Sequence, residues 1–154
     1  MRGQLARVAL IAALLVALDR ASKIWVVERM GLAERLHIRV LDPYLNFAMA
    51  WNEGVNFGLL DFGDRGRWFL IGLAVAIIAG LLVWVRGSRG WGAAAGVGLL
   101  VGGAIGNVWD RLTYGAVADF INVSCCGIRN PFAFNFADAA IFLGAVLLIL
   151  LPRR

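Results

Sequence analysis

The sequence predicts an all-α membrane protein: four transmembrane helices, both termini in the cytoplasm, and a small antiparallel β-sheet on the extracytoplasmic face. Three observations carry that expectation. The chain is 61% hydrophobic and only 16% charged, against roughly 25% charged in soluble domains. Its uncharged residues gather into four runs, 8–18, 68–85, 90–109 and 139–152, and a spanning helix needs about 20 mostly apolar residues. Between the runs lie short segments in which apolar and polar residues alternate, the mark of half-buried strands.

The second and third runs reach spanning length directly and predict helices over 67–85 and 91–110, joined by the short "RGSRG" turn. The first run spans only by continuing through Asp19, Arg20 and Lys23, giving a helix over 5–30. Its opening, "MRGQLARVALIAALLVAL", also resembles a secretory signal peptide. No small-residue cleavage site follows and the hydrophobicity resumes after "DRASK", so it reads as a retained first helix. The fourth run spans if it starts near Phe134, giving 134–151. By length the whole of 1–154 is one integral-membrane domain. Segment 31–66 is too polar to span and is broken by Pro43 and the turn-prone "WNEGVNFG"; its "LHIRVL" and "LNFAMAW" read as strands. Segment 112–133 contributes "VADFINV", a third strand. In the third helix Gly98, Gly102 and Gly106 recur every four residues, predicting one face bare enough for a neighbour to approach closely.

Charge placement sets the topology. Arg2, Arg7, Arg86, Arg89, Arg153 and Arg154 fall in three short acid-free segments, whereas the other side mixes arginines with acids. The positive-inside rule therefore puts both termini and the 86–90 loop in the cytoplasm. The net charge of +5 serves this purpose; without a basic stripe interleaved with aromatics, nucleic-acid binding is excluded. A lone His37 and no HExxH leave no zinc ligand set. Cys125 and Cys126 are adjacent, a spacing that disfavours a mutual disulfide, and are expected to act as small apolar filler.

Asp138 is the one acid at the mouth of the fourth apolar run. Taken alone, Asn135 and Asp138 read as the cap and first turn of a helix. Asp119 changes the weighing: it shares a strand face with Val117 and Ile121, a local conflict of the kind functional sites explain. The two acids flank one outer connection, and carboxylates held close in a weakly polar site share a proton, the machinery of aspartic peptidases. Which of them holds it is left open by the sequence. At the same level, Asn107 and Arg111 lie four apart on one helical face. Asn107 is suited to bonding a substrate backbone. Arg111 orients the acids, binds an acidic lipid group, or merely snorkels to the interface. Asp19 and Lys23, also four apart, read as a buried ion pair supporting the outer platform. Ser22 beside Lys23 has poor geometry for a Ser/Lys dyad.

"DRASK" (19–23), "WNEGVNFG" (51–58), "GGAIGNVWDR" (102–111), "VADFI" (117–121) and "FNFADAA" (134–140) occur in this order across the whole chain. Together they resemble the bacterial lipoprotein signal peptidase (signal peptidase II) family of membrane aspartic peptidases. The resemblance implies removal of the signal peptide from lipid-modified prolipoproteins, before a diacylglyceryl cysteine at the outer boundary of the cytoplasmic (inner) membrane. It implies a catalytic dyad at Asp119 and Asp138, and further characteristic polar positions at Asp19, Lys23, Asn52, Gly54, Asn107, Arg111 and Asn135. It also implies an outer sheet that cradles substrate, no metal or organic cofactor, and partners limited to prolipoproteins and membrane lipids. The chain departs from the family pattern at Val55 and Asn56, where small residues are common; this bears on the cradle's shape and on substrate preference. The rival readings are a small proton-coupled exporter, which needs an ionisable group near the midplane, and a non-catalytic scaffold, which leaves the polar grouping unexplained.

Overall fold

The computed structural model describes residues 2–54, 64–127 and 130–150. It is mostly helical, with one three-stranded antiparallel sheet. Helix α1, Arg2–Lys23, runs on through a π-helical turn, Ile24–Arg29. A short helix α2, Leu32–Arg35, follows, then strands β1, His37–Leu41, and β2, Leu45–Asn52. Helices α3, Asp64–Val85, and α4, Trp91–Tyr114, lead to β3, Val117–Val123, and to α5, Phe136–Leu150. Helix α2 falls in a segment read as irregular. Helix α4, expected to stop near 110, continues one more turn because no breaker intervenes before Gly115, whose φ of 82° ends it. The departure at Val55 and Asn56 lies outside the described residues.

Helix α4 is the hub and packs against α1, α3 and α5. Its glycines explain why: the expected face admits α1, and a second face admits α5. A Cβ on Gly98 would sit 2.7 Å from Ile11, and one on Gly102 would sit 3.0 Å from Ala12, so these two admit α1. A Cβ on Gly103 would sit 2.5 Å from the Ala137 carbonyl oxygen, so that glycine admits α5. Gly144 of α5 returns the fit, its missing Cβ lying 2.7 Å from the Gly96 carbonyl. Such small-residue seams let helices associate where lipid supplies no hydrophobic drive between them. Val8, Ala12, Val85, Ala94, Val97 and Val101 form the core at the α1–α3–α4 junction.

Most of the apolar surface of α3 faces outward, including Trp68, Phe69, Leu73, Ile77 and Val83. Helices α3 and α4 are long and apolar enough to cross a membrane, and α5 is apolar but shorter. The sheet has order β1-β2-β3. A second core of Val26, Val27, Leu32, Ala118 and Phe120 fills the space between it and the π-helical turn. Val117 to Phe120 are therefore buried on both faces of β3 rather than alternately. Cys125 and Cys126, expected as unpaired filler, are bonded to each other instead. They lie in a turn in which Cys126 (φ 58°) and Gly127 (φ 81°) both take the left-handed conformation, which folds the two side chains together.

The α4–α5 seam makes a test. Gly103→Ala forces the Ala137 carbonyl to move and should cost about 1–3 kcal/mol, typical of overpacking. Gly72→Ala, which meets nothing within 4 Å, should be neutral or slightly stabilising. Unfolding midpoints of the two variants in detergent micelles check the contrast.

Candidate active site

Helix α5 opens with a reciprocal cap. The Asp138 amide donates to Asn135 Oδ1 at 2.9 Å, and the Asn135 amide donates to Asp138 Oδ2 at 3.4 Å. This is the capping-box pattern, which satisfies helix donors that have no partner in the preceding turn. The cap and the acid pair share Asp138, and Asn135 links the two. Asn135 is fully buried, and while its Oδ1 caps α5 its Nδ2 donates to Asp119 Oδ1 at 2.6 Å. One side-chain amide thus touches both acids' surroundings from opposite ends.

The backbone delivers this contact. Phe134, the residue before Asn135, bridges β3: its amide donates to the Ile121 carbonyl at 3.0 Å, and its own carbonyl accepts from Ile121 at 2.8 Å. On the other side, β2 carries a register irregularity between Phe47 and Ala50, after which Ala50 pairs with Asp119 and Asn52 with Val117. A one-residue shift flips which side chains share a face. Asn52 then lies diagonally across from Asp119 on the same face, and its Nδ2 donates to Asp119 Oδ2 at 3.3 Å. Gly54 holds Asn52 in turn, its amide donating to Asn52 Oδ1 at 3.3 Å.

From α4, Asn107 Nδ2 donates to Asp138 Oδ1 at 2.8 Å. Arg111 sits one turn further along, its guanidinium 3.5 Å from the Asn107 carbonyl and within electrostatic reach of Asp138 and Asp119. Its Nε is buried without a hydrogen-bond partner among the described residues. This arginine faces the acids rather than snorkelling away from them. Asp19 and Lys23 lie 2.8 Å apart, and they belong to a larger cluster. Lys23 also meets Asp110 at 2.6 Å, and Arg20 pairs with the same Asp110. Asp110 was not singled out from the sequence. The signal was present: it follows Gly106 by four residues, which puts it on the tightly packed face of α4.

Burial pushes the Asp119 carboxyl up to about 7, and the facing Asp138 adds to the rise by its charge and by hydrogen bonding, while Asn52 and Asn135 oppose it as donors. Asp138 is placed differently. It accepts two N–H donors at the N-terminal end of a helix, where the backbone dipole favours negative charge. The two carboxyls thus stand in unlike environments.

Two facing carboxyls, one on β3 and one at the start of α5, beside apolar helices fit the class of membrane aspartic peptidases. Residues 11–152 match the family model described as signal peptidase (SPase) II. The lipoprotein signal peptidase of Caulobacter vibrioides is 43% identical over 141 residues, covering 91% of this chain and 82% of that protein. That of Methylorubrum extorquens is 44% identical over 144 residues, covering 93% and 82%. A solved bacterial membrane enzyme superposes with a TM-score of 0.78 at 26% identity, covering 93% of this chain and 90% of its own. The chain belongs to the signal peptidase II family, hydrolases that remove signal peptides from prolipoproteins.

The raised Asp119 pKa has a stability consequence. The folded protein keeps a proton that the unfolded chain releases near pH 4, so this group's contribution is most favourable below that pH. It declines as pH climbs to about 7. The thermal midpoint of the wild type minus that of Asp119→Asn should therefore fall between about pH 4 and 7. A difference that stays flat or rises would refute burial of the protonated acid.

Proposed function

We propose that Asp119 and Asp138 are the catalytic dyad of a single peptidase domain spanning 1–154. In this reading the enzyme cuts prolipoproteins before a diacylglyceryl-modified cysteine, at the extracytoplasmic boundary of the bacterial inner membrane. The observation that carries it is the Asn135 side chain, which caps the helix bearing Asp138 and holds Asp119 at 2.6 Å.

The lipid-modified signal helix enters sideways from the bilayer, its acyl chains remaining among lipid and helix surfaces, and its cleavage site extends between the two acids. Asp138, ionised, takes a proton from a water molecule as its oxygen attacks the scissile carbonyl. Asp119, protonated, donates a hydrogen bond to the developing oxyanion and keeps its proton when the intermediate collapses. The C–N bond then breaks, and the proton taken from water passes to the departing cysteine amine. Asn52 and Asn135 orient Asp119, Asn107 orients Asp138, and Gly54 orients Asn52. Arg111 supplies positive charge beside the pair. No cofactor and no obligate protein partner enter the scheme.

Four spans with both termini cytoplasmic agree with the aromatic residues. Trp68 and Trp84 are separated by about 24 Å along α3, and Trp91 and Trp109 by about 27 Å along α4, at the helical rise. Tryptophans favour the two membrane interfaces, and a hydrocarbon core is about 30 Å thick. On this reading Trp109 marks the outer boundary, close to Asn107 and Arg111. A proton-coupled exporter is disfavoured, because the deep acids Asp19 and Asp110 are neutralised by Lys23 and Arg20.

Asp119→Asn and Asp138→Asn keep side-chain shape and remove the titrating group. Each variant should insert normally and lose at least about 100-fold in cleavage rate, the lower range of general acid–base contributions. A gel-mobility assay of purified protein with a lipidated precursor reads this directly, and substantial cleavage by both variants would sink the dyad. The wild-type rate should decline above about pH 7 as Asp119 ionises. Asn52→Ala removes a donor to the carboxylate and should move that decline to higher pH.

A further inference from the structure

Three buried charges and a partly buried Arg20 lie behind the acid pair. Asp19 and Asp110 are 0% exposed and Lys23 is 1% exposed. The Lys23 ammonium is 2.8 Å from Asp19 Oδ2 and 2.6 Å from Asp110 Oδ2. Arg20 pairs with Asp110 Oδ1, and its Nε lies 3.9 Å from Asp19. Two acids and two bases cancel, so the cluster is tolerable in an apolar setting. Neutrality alone does not explain its presence, since buried ion clusters are often replaced by apolar residues without loss of stability.

The carboxylate oxygens do something further. Asp110 Oδ2 accepts the amide hydrogen of Ala118 at 3.1 Å, and Asp19 Oδ1 accepts that of Ala137 at 3.2 Å. Ala118 immediately precedes Asp119, and Ala137 immediately precedes Asp138. Both alanines are fully buried. One ammonium therefore bridges two carboxylates, each of which grips the backbone one residue before a member of the pair. Gly106 makes room for this, as a Cβ there would lie 2.9 Å from Asp19 Oδ2. The Phe134–Ile121 bridge ties β3 to the approach of α5 two residues beyond Asp119; the Lys23 cluster ties the same two segments on the near side of both acids.

We propose that Lys23 is a positioning residue that fixes the separation of Asp119 and Asp138, acting through Asp110 on one backbone and Asp19 on the other. The proposal rests on the dyad assignment above and adds to it a device that holds two mutually repelling carboxyls together. The charged groups facing Asp119 are Asp138 from α5 and Arg111 from α4, with Asn52 from β2 and Asn135 as neutral donors. Those around Lys23 are Asp19 and Arg20 from its own helix and Asp110 from α4.

The test uses the purified full chain in detergent micelles with a lipidated precursor, assayed from about pH 5 to 9. Lys23→Met leaves an uncompensated buried charge, so the informative variant is the double Lys23→Met/Asp19→Asn. It keeps the cluster neutral and keeps an acceptor oxygen for Ala137. Its kcat should fall by about 100-fold, the scale of a displacement near 1 Å, with KM changed by less than about twofold. Its alkaline limb should move to lower pH, because an Asp119 that retreats from Asp138 feels less repulsion. Lys23→Arg, still able to span two carboxylates, should recover part of kcat. Less folded protein, with kcat per folded molecule and the limb both unchanged, would mean a purely structural role and overturn the proposal. Asp119→Asn is run alongside. Cleavage by that variant overturns the dyad and this proposal together. An inactive Asp119→Asn with an unmoved limb in the double variant overturns this proposal alone.

Discussion

The close approach of α1 and α5 to the backbone of α4 is the constraint on which the other contacts depend. Gly98 and Gly102 let α1 in, Gly103 lets α5 in, and Gly106 lies where both meet. In an apolar medium, helices gain little from burying hydrocarbon against hydrocarbon, so dispersion and polar contacts between close backbones must hold them. Only at that spacing do Asp19 of α1 and Asp110 of α4 share the Lys23 ammonium. Only at that spacing does Asn107 of α4 reach Asp138 of α5. Bare helix surface and dense polar chemistry are two aspects of one arrangement.

The polar groups in turn solve a problem that the helices create. A helix beginning beside lipid cannot leave its first amides to water, and each unsatisfied group costs several kcal/mol there. For α5 the Ala137 amide is satisfied by Asp19 and the Asp138 amide by Asn135. β3, buried on both faces at its start, has the Ala118 amide taken by Asp110. The sheet contributes the remaining walls. Its irregularity in β2 swings Asn52 onto the face of Asp119, and the Trp51 ring packs against Tyr114 at the end of α4.

Much of this was legible in the sequence, and the limits have physical causes. Uncharged run length located the helices because a spanning segment admits few charges, and alternation located β1, β2 and β3. The pairing of Asp119 with Asp138 could be suspected because each acid sits against apolar neighbours. Asp110 escaped notice because an acid next to an arginine at a helix end looks like an exposed pair; its depth follows only once α1 is packed against Gly106. The glycines serve two faces rather than one because Gly96 and Gly103 are offset around the helix from Gly98 and Gly102, a distinction that four-residue spacing does not draw. The bonding of Cys125 to Cys126 depends on a left-handed turn that neither residue advertises. The dual role of Asn135 needed the Phe134 bridge to β3, a long-range contact without a local signal.

That dual role bears on why the acid pair sits at a helix start. A carboxylate near the first turn lies in the favourable field of the backbone dipole, and Asp138 is also within electrostatic reach of Arg111, whereas burial in β3 raises the Asp119 carboxyl to about 7. Deeper in the helix the same carboxylate would lose both the dipole's N-terminal field and the capping donors, and would have to recruit a base, as Asp19 and Asp110 do. Further out it would be solvated, and the difference between the two acids would shrink. The start of α5 is thus a position that offers a carboxylate the dipole's field, capping donors and a buried carboxyl within reach. Asn135 joins the three requirements by capping the helix with its oxygen and binding the protonatable acid with its nitrogen.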